Sequence, residues 1–265
     1  MSSTEQYSQR FGGITRLYGR GTLEKLQTAH CVIIGIGGVG SWSAEALARS
    51  GVGQISLIDL DDVCITNTNR QSHALLNTIG EPKVTVMAER LRQINPQIQL
   101  QVHQDFIASD NFAQLLDPAR MPIDIVLDAT DTARVKAALA AYCKARKLRL
   151  ITVGSAGGKR DPSRIGCADL GRTINDPMLA KMRQHLYSQH NFHKSRRRLF
   201  GIDAIFSTEP MAYPQPDGQV SQRKTTMQGG VKLDCSNGFG AATMVTGTFG
   251  FHAAAQVVKR LLSQG

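Results

Sequence analysis

Gly35-x-Gly37-x-x-Gly40 stands directly after the run Cys31-Val32-Ile33-Ile34, and from Gly38 to Ser50 the apolar spacing becomes helical. Glycines so placed allow a tight turn and let main-chain amides approach a phosphate at a helix N-terminus. Asp59 ends the next apolar run, where a carboxylate can accept hydrogen bonds from ribose hydroxyls. To this point a nicotinamide dinucleotide and ATP are served equally. The residues that follow separate them: Asp59-Leu60-Asp61-Asp62-Val63, then Asn67-x-Asn69-Arg70-Gln71, then Lys83 form a polar row for which hydride transfer has no use. Triphosphate chemistry does use it. Arg70 and Lys83 can neutralise charge on a triphosphate and its departing pyrophosphate, while Asp128, at the tip of a later apolar run, can hold the accompanying magnesium ion. Asp128 is accordingly expected to face the crevice and to serve the metal, not the packing.

These side chains need a framework that brings them to one edge. Cys31 to Ile34 is short, β-branched and runs into glycine, which reads as a central buried strand. Trp42, Ala46, Leu47 and Ala48 mark the helix after it, and Gly51-Val52-Gly53 ends that helix before the strand Gln54 to Asp59. The alternation continues with a helix over Lys83 to Gln93, and strands over Ile98 to Val102, Ile123 to Leu127 and Ile151 to Val153. It predicts an α/β, Rossmann-like doubly wound fold: a mostly parallel sheet with right-handed crossovers and a ligand crevice at the carboxyl ends of the strands. Beyond the turn Asp161-Pro162-Ser163, a helix is expected over Leu179 to His190 and an exposed loop over Asn191 to Arg198. No linker interrupts the chain, so 265 residues are expected to form one domain with an extended C-terminal half.

Taken in order, Gly35 to Gly40, Asp59-Leu60-Asp61, Asn67 to Gln71, Gly80-Glu81-Pro82-Lys83, Ile94-Asn95-Pro96 and Asp128-Ala129-Thr130-Asp131 resemble the ubiquitin-activating-like superfamily, which includes the ThiF/MoeB enzymes that adenylate sulfur-carrier proteins. The resemblance implies an ATP-dependent adenylating enzyme: Asp59 holds the ribose, Asn69, Arg70 and Lys83 meet phosphates, and Asp128 lies beside magnesium and the α-phosphate. The paired CxxC motifs that hold zinc in the sulfur-carrier enzymes are absent here. Arg10-Phe11-Gly12-Gly13-x-x-Arg16-Leu17-Tyr18-Gly19, Asp176-Pro177, Phe206-Ser207-Thr208-Glu209 and Asp234-Cys235-Ser236-Asn237-Gly238-Phe239-Gly240 instead resemble the tRNA threonylcarbamoyladenosine dehydratase branch. That branch implies a homodimer in which an N-terminal arginine, by position Arg16 ahead of Arg10, reaches the partner's ATP site. It also implies a nucleotide-binding half over about 1–160 and a substrate and dimer half over about 161–265. The reaction implied is ATP-dependent cyclisation of threonylcarbamoyladenosine in tRNA through a carboxyl-adenylate; adenylation of a carrier protein's C-terminus is the alternative. ATP and Mg2+ are the cofactors implied, Na+ or K+ is a further candidate for the loops near Gly240, and a sulfur-relay cysteine desulfurase system is a candidate partner.

Charge gives an observation independent of that resemblance. The chain carries a formal net charge of +10, and a positive field raises the local concentration of polyanions. From Pro177 to Ile202 there is no acidic residue, while Lys181, Arg183, Lys194, Arg196, Arg197 and Arg198 fall there. Clustered cations of this kind follow a phosphate backbone, and Tyr187 or Phe192 can stack on an unpaired base. The five cysteines form no CxxC pair, and the N-terminus has no secretory pattern, so a reducing cytoplasm is expected. Ser236 to Val258 lacks charged residues but is rich in Gly and Thr, which predicts a small-residue helix buried against the sheet or a second subunit instead of a membrane span. Cys235, His73, His103 and His252 lack partners in sequence; Cys235 is expected to pack as a small hydrophobe, and core or surface roles are expected for the three histidines.

Overall fold

Cys31 and Ile33 face one side of a sheet and Val32 and Ile34 the other, and all four are buried, so the strand that carries them must lie in the middle of a covered layer. The computed structural model describes residues 2–118, 121–194, 199–215, 217–222 and 239–263. Along the chain these form α1 (Ser3–Tyr18), α2 (Thr22–Thr28), β1 (His30–Ile34), α3 (Gly40–Arg49), β2 (Gln54–Ile58), α4 (Lys83–Ile94), β3 (Gln99–His103) and α5 (Phe112–Leu115). There follow β4 (Ile125–Asp128), α6 (Ala133–Ala145), β5 (Leu150–Val153), β6 (Ile165–Asp169), α7 (Pro177–Gln189), β7 (Asp203–Ser207), the short pair β8 (Tyr213–Pro214) and β9 (Val220–Ser221), and α8 (Thr243–Leu262).

The main sheet has seven strands in the order β3-β2-β1-β4-β5-β7-β6. All its pairings are parallel except that of β6 with β7. The fold is therefore the expected α/β doubly wound type, and the sheet draws strands from both halves of the chain. Because β1 lies between β2 and β4, the connections leaving it diverge, which opens a crevice at the carboxyl ends of β1 and β4. One apolar layer packs α3, α4 and α8 on the face of Ile33 and Leu127; the other packs α5, α6 and α7 on the face of Ile34 and Val126.

Three local readings change. The strand expected over Ile98 to Val102 lies one residue later, because Ile98 closes a turn on Asn95 at 3.0 Å before the ladder begins. The N-terminal segment, read for its motif alone, is a 16-residue helix. Ser2 and Glu5 form a reciprocal capping box at its start, and Tyr7 and Phe11 pack its buried face against Leu23. The uncharged segment near the C-terminus becomes α8 from Thr243 onward; residues 236–238 lie outside the described residues. Its small residues let it cross α3 closely: a Cβ on Gly250 would stand 2.7 Å from Trp42 Cβ. Among the described residues, no helix is long and apolar enough to cross a membrane.

Candidate active site

The crevice floor is the turn between β1 and α3. Gly35 has φ +86°, and a Cβ there would lie 2.8 Å from the Ala129 carbonyl oxygen, so the turn after β1 can only pass the turn after β4 as glycine. A Cβ on Gly40 would stand 1.8 Å from the Gly35 oxygen, which closes the loop on itself. The N-terminus of α3 then points into the crevice and gives it a positive potential suited to phosphate.

Two elements bring the polar row to this loop. Asp59, just beyond β2, accepts from the Ile36 N–H at 2.6 Å and from the Asp61 N–H at 2.9 Å, so its carboxylate is tied to the glycine turn. Burial pushes the Asp59 carboxyl above its ordinary value, and the Lys83 ammonium opposes that rise. Asp61 pairs with Lys83 at 2.6 Å; Lys83 is buried, and Asp61 is exposed. Arg70 crosses Gly38 with its stem, and its Nη1 donates to the Thr66 carbonyl at 2.9 Å and to Asn69 Oδ1 at 3.0 Å. Gln71 Nε2 lies about 4.0 Å from where a Cβ on Gly37 would be, and its Oε1 is buried without a partner among the described residues. Gly35, Gly37, Gly38, Gly40, Asp59, Asp61, Asn69, Arg70, Gln71 and Lys83 thus share one crevice. Asn67 is different: its Oδ1 accepts the Cys64 N–H at 3.1 Å, and it is buried as the brace of its own turn.

Asp128 does not meet the expectation of an open strand-tip ligand for magnesium. It is fully buried. Oδ1 accepts from Thr130 N–H at 3.1 Å and Thr130 Oγ1 at 2.7 Å; Oδ2 accepts from Thr152 Oγ1 at 2.8 Å and faces Lys136 Nζ at 3.1 Å. An ionised carboxylate has about four lone-pair sites, and all are engaged here. The residues therefore do not fit a magnesium ion on Asp128 in this arrangement, and among the described residues no group of three His, Cys, Asp or Glu side chains could hold a metal. Lys136 is the residue that sequence reasoning missed. Its signal was a lysine on the stripe of α6 shared by Leu139, Ala140 and Cys143, all buried.

A second missed contribution comes from α8 and its approach, which fasten the turn carrying Asn69 and Arg70 from behind. Asn69 Nδ2 donates to the Ala241 carbonyl at 2.8 Å, Thr243 Oγ1 donates to the Asn69 carbonyl at 2.6 Å, and Thr246 Oγ1 donates to the Arg70 carbonyl at 3.3 Å, which also accepts from Trp42 Nε1 of α3 at 3.1 Å. Near Gly240, whose carbonyl accepts the Gly158 N–H at 2.8 Å, a positive charge of the chain's own is already present. The buried Lys159 ammonium donates to the Asn175 carbonyl at 3.0 Å and to the Glu209 carbonyl. Burial lowers the Lys159 pKa.

Arg16 lies exposed in the last turn of α1 beside exposed Leu17 and Tyr18, whereas Arg10 donates to the Ile94 carbonyl of its own chain at 3.3 Å. Of the proposed RNA contacts, Lys181 and Lys194 are exposed. Arg183 is committed to the fold, its Nη1 donating to the Leu170 carbonyl at 3.1 Å and to Thr173 Oγ1. Arg196, Arg197, Arg198 and Cys235 lie outside the described residues. Phe192 cannot serve as a base platform as placed, because Phe200 stacks on its ring with centroids 5.8 Å apart and Lys144 Nζ stands 4.2 Å from its centroid. His73 is a core residue, pushed down to about 4 by burial and by the nearby Lys83 and Arg90 charges, and so is neutral at physiological pH.

Comparison with known proteins places this geometry. The ThiF family model matches residues 12–264. The tRNA threonylcarbamoyladenosine dehydratase of Escherichia coli (strain K12) is 50% identical over 261 residues, covering 98% of this chain and 96% of that protein. Its counterpart in Haemophilus influenzae is 48% identical over 264 residues, covering 100% of this chain and 97% of that one. The crystal structure of the E. coli tRNA N6-threonylcarbamoyladenosine dehydratase in complex with ATP superposes with a TM-score of 0.87 at 46% identity, covering 100% of both chains.

Proposed function

The chain belongs to the ThiF family, and we infer that it is an ATP-dependent tRNA threonylcarbamoyladenosine dehydratase. One observation carries the reading: a phosphate-binding glycine turn, Arg70 and Lys83 converge on the same crevice in a chain similar from end to end to dehydratases of that name. Asp59 receives the ribose. The α-phosphate lies over the N-terminus of α3, and Arg70, Asn69 and Lys83 surround the phosphates. For Lys83 to do so its ammonium exchanges Asp61 for a phosphate oxygen, and water solvates the exposed carboxylate it leaves.

The threonyl carboxylate attacks the α-phosphorus of ATP; a new O–P bond forms as the bond to pyrophosphate breaks. The neighbouring carbamoyl group then attacks the activated carbonyl, a ring closes, and AMP leaves with the oxygen that the carboxylate contributed. The net organic change is loss of water. The chain's residues act by orientation and by stabilising charge on the phosphates. With ATP and tRNA as substrates, the enzyme works in the cytoplasm. Pyrophosphate exchange into ATP is the direct test. It is expected to require tRNA bearing threonylcarbamoyladenosine, and exchange driven instead by a ubiquitin-like carrier protein would replace this reading.

The exposed end of α1 supports a homodimer in which Arg16 completes the partner's site. Inactive Arg16→Ala and inactive Arg70→Ala chains, mixed as verified heterodimers, should regain activity in part, since one of the two sites then holds both arginines. No rescue would mean that Arg16 acts within its own chain.

A further inference from the structure

We propose that the RNA surface continues from α7 onto the C-terminal end of α6, where Lys144, Arg146 and Lys147 join Lys194 in one phosphate-binding patch. The proposal rests on tRNA being the substrate, and it extends that reading to residues outside the basic stretch noted in the sequence. From Thr132 to Arg160 the chain has no Asp or Glu, and three cations fall between Lys144 and Lys147. All three are exposed. Among the described residues none of them lies within salt-bridge distance of a carboxylate. Arg149 belongs to the other face of the sheet, where its Nη1 donates to the Arg260 carbonyl of α8 at 3.1 Å. A single cation in the last turn would satisfy the dipole of α6; three over four positions exceed that need.

Geometry makes the two basic segments continuous. Lys144 Nζ covers the Phe192 ring at 4.2 Å, and Phe192 stacks on Phe200, so the end of α6 and the segment carrying Lys194 share one surface. The path of α7 links that surface to the crevice. At its start, Asp176 Oδ2 accepts the Ser155 N–H at 2.8 Å, just beyond the carboxyl end of β5. At its other end it reaches the close of α6, which feeds the opposite edge of the sheet through Arg149 and β5. A 13-residue helix spans about 20 Å. Lys181 stands exposed in the crevice-side half of that path and Lys194 beyond its far end. A tRNA stem whose modified base enters the crevice would therefore lay backbone phosphates down α7 and onto the α6 end.

The test uses full-length protein and tRNA across a potassium chloride series. Arg146→Glu/Lys147→Glu is expected to weaken binding at least tenfold near physiological salt. It should also flatten the slope of log affinity against log salt by about 1.4, at roughly 0.7 per lost contact. Arg20→Glu/Arg92→Glu removes the same charge from other exposed positions and should keep a near-parental slope. Circular dichroism reports folding, and Lys147→Ala alone, with about half the slope change, serves if the doublet does not fold. Equal slopes for the two doublets would overturn the patch. Absence of salt-dependent tRNA binding by the parent protein would instead remove the tRNA reading on which the patch depends.

Discussion

Asp128→Ala lowers folding stability by about 3–5 kcal/mol, the scale for removing one partner of a buried ion pair. Lys136 and Asp128 are both fully buried, and the ammonium stands 3.1 Å from the carboxylate. Its remaining contacts are the Asp128 main-chain oxygen at 3.2 Å and Thr152 Oγ1 at 3.3 Å, neither of which carries charge. Deleting the carboxylate leaves an uncompensated charge between β4 and α6. Asp128→Ala/Lys136→Met is expected to recover most of the loss, because methionine nearly matches the lysine stem and has no charge to bury. The pair is measured by urea unfolding of both variants and of Lys136→Met. A loss below about 1 kcal/mol for Asp128→Ala would mean that the carboxylate does not compensate a buried charge.

Arg70→Ala slows AMP formation by roughly two to three orders of magnitude, the usual scale for losing one preorganised charge-stabilising donor. The side chain is preorganised: its Nη1 is fixed by the Thr66 carbonyl and Asn69 Oδ1, and its own carbonyl by Trp42 and Thr246. The loss should fall on kcat, with KM for ATP changing far less, because charge on the departing pyrophosphate grows toward the transition state. Arg70→Lys should restore only part of the rate, since one ammonium cannot reproduce the guanidinium fork. A loss confined to KM would place Arg70 in ground-state binding alone.

The crevice was legible in sequence because each of its parts is local. The glycine turn follows a buried strand directly, Asp59 ends the next strand, and Arg70 and Lys83 sit on segments whose motifs stand in order. What was not legible depends on contacts across the fold. Asp128 looked like an open strand tip, yet Lys136 on the next helix and Thr152 on β5 close over it, a pairing set by sheet order and helix rotation together. Asn67, counted among the nucleotide residues, braces its own turn, and Arg183, counted among the RNA contacts, ties α7 to the turn at Leu170. Side-chain type alone does not distinguish these roles. α1 is the opposite case: its Ser2 to Glu5 capping box and the Tyr7 to Phe11 spacing are local signals present in the sequence.

Dehydration leaves its mark on the nucleoside itself. tRNA carrying threonylcarbamoyladenosine is incubated with the protein and ATP, digested under neutral conditions, and its nucleosides are weighed by mass spectrometry. The hypermodified adenosine is expected to lose the mass of one water, with AMP and pyrophosphate appearing in equal amounts, and neither change is expected without ATP. An unchanged nucleoside from folded, ATP-binding protein, or loss of water without ATP cleavage, would mean that the protein does not dehydrate this nucleoside through an adenylate.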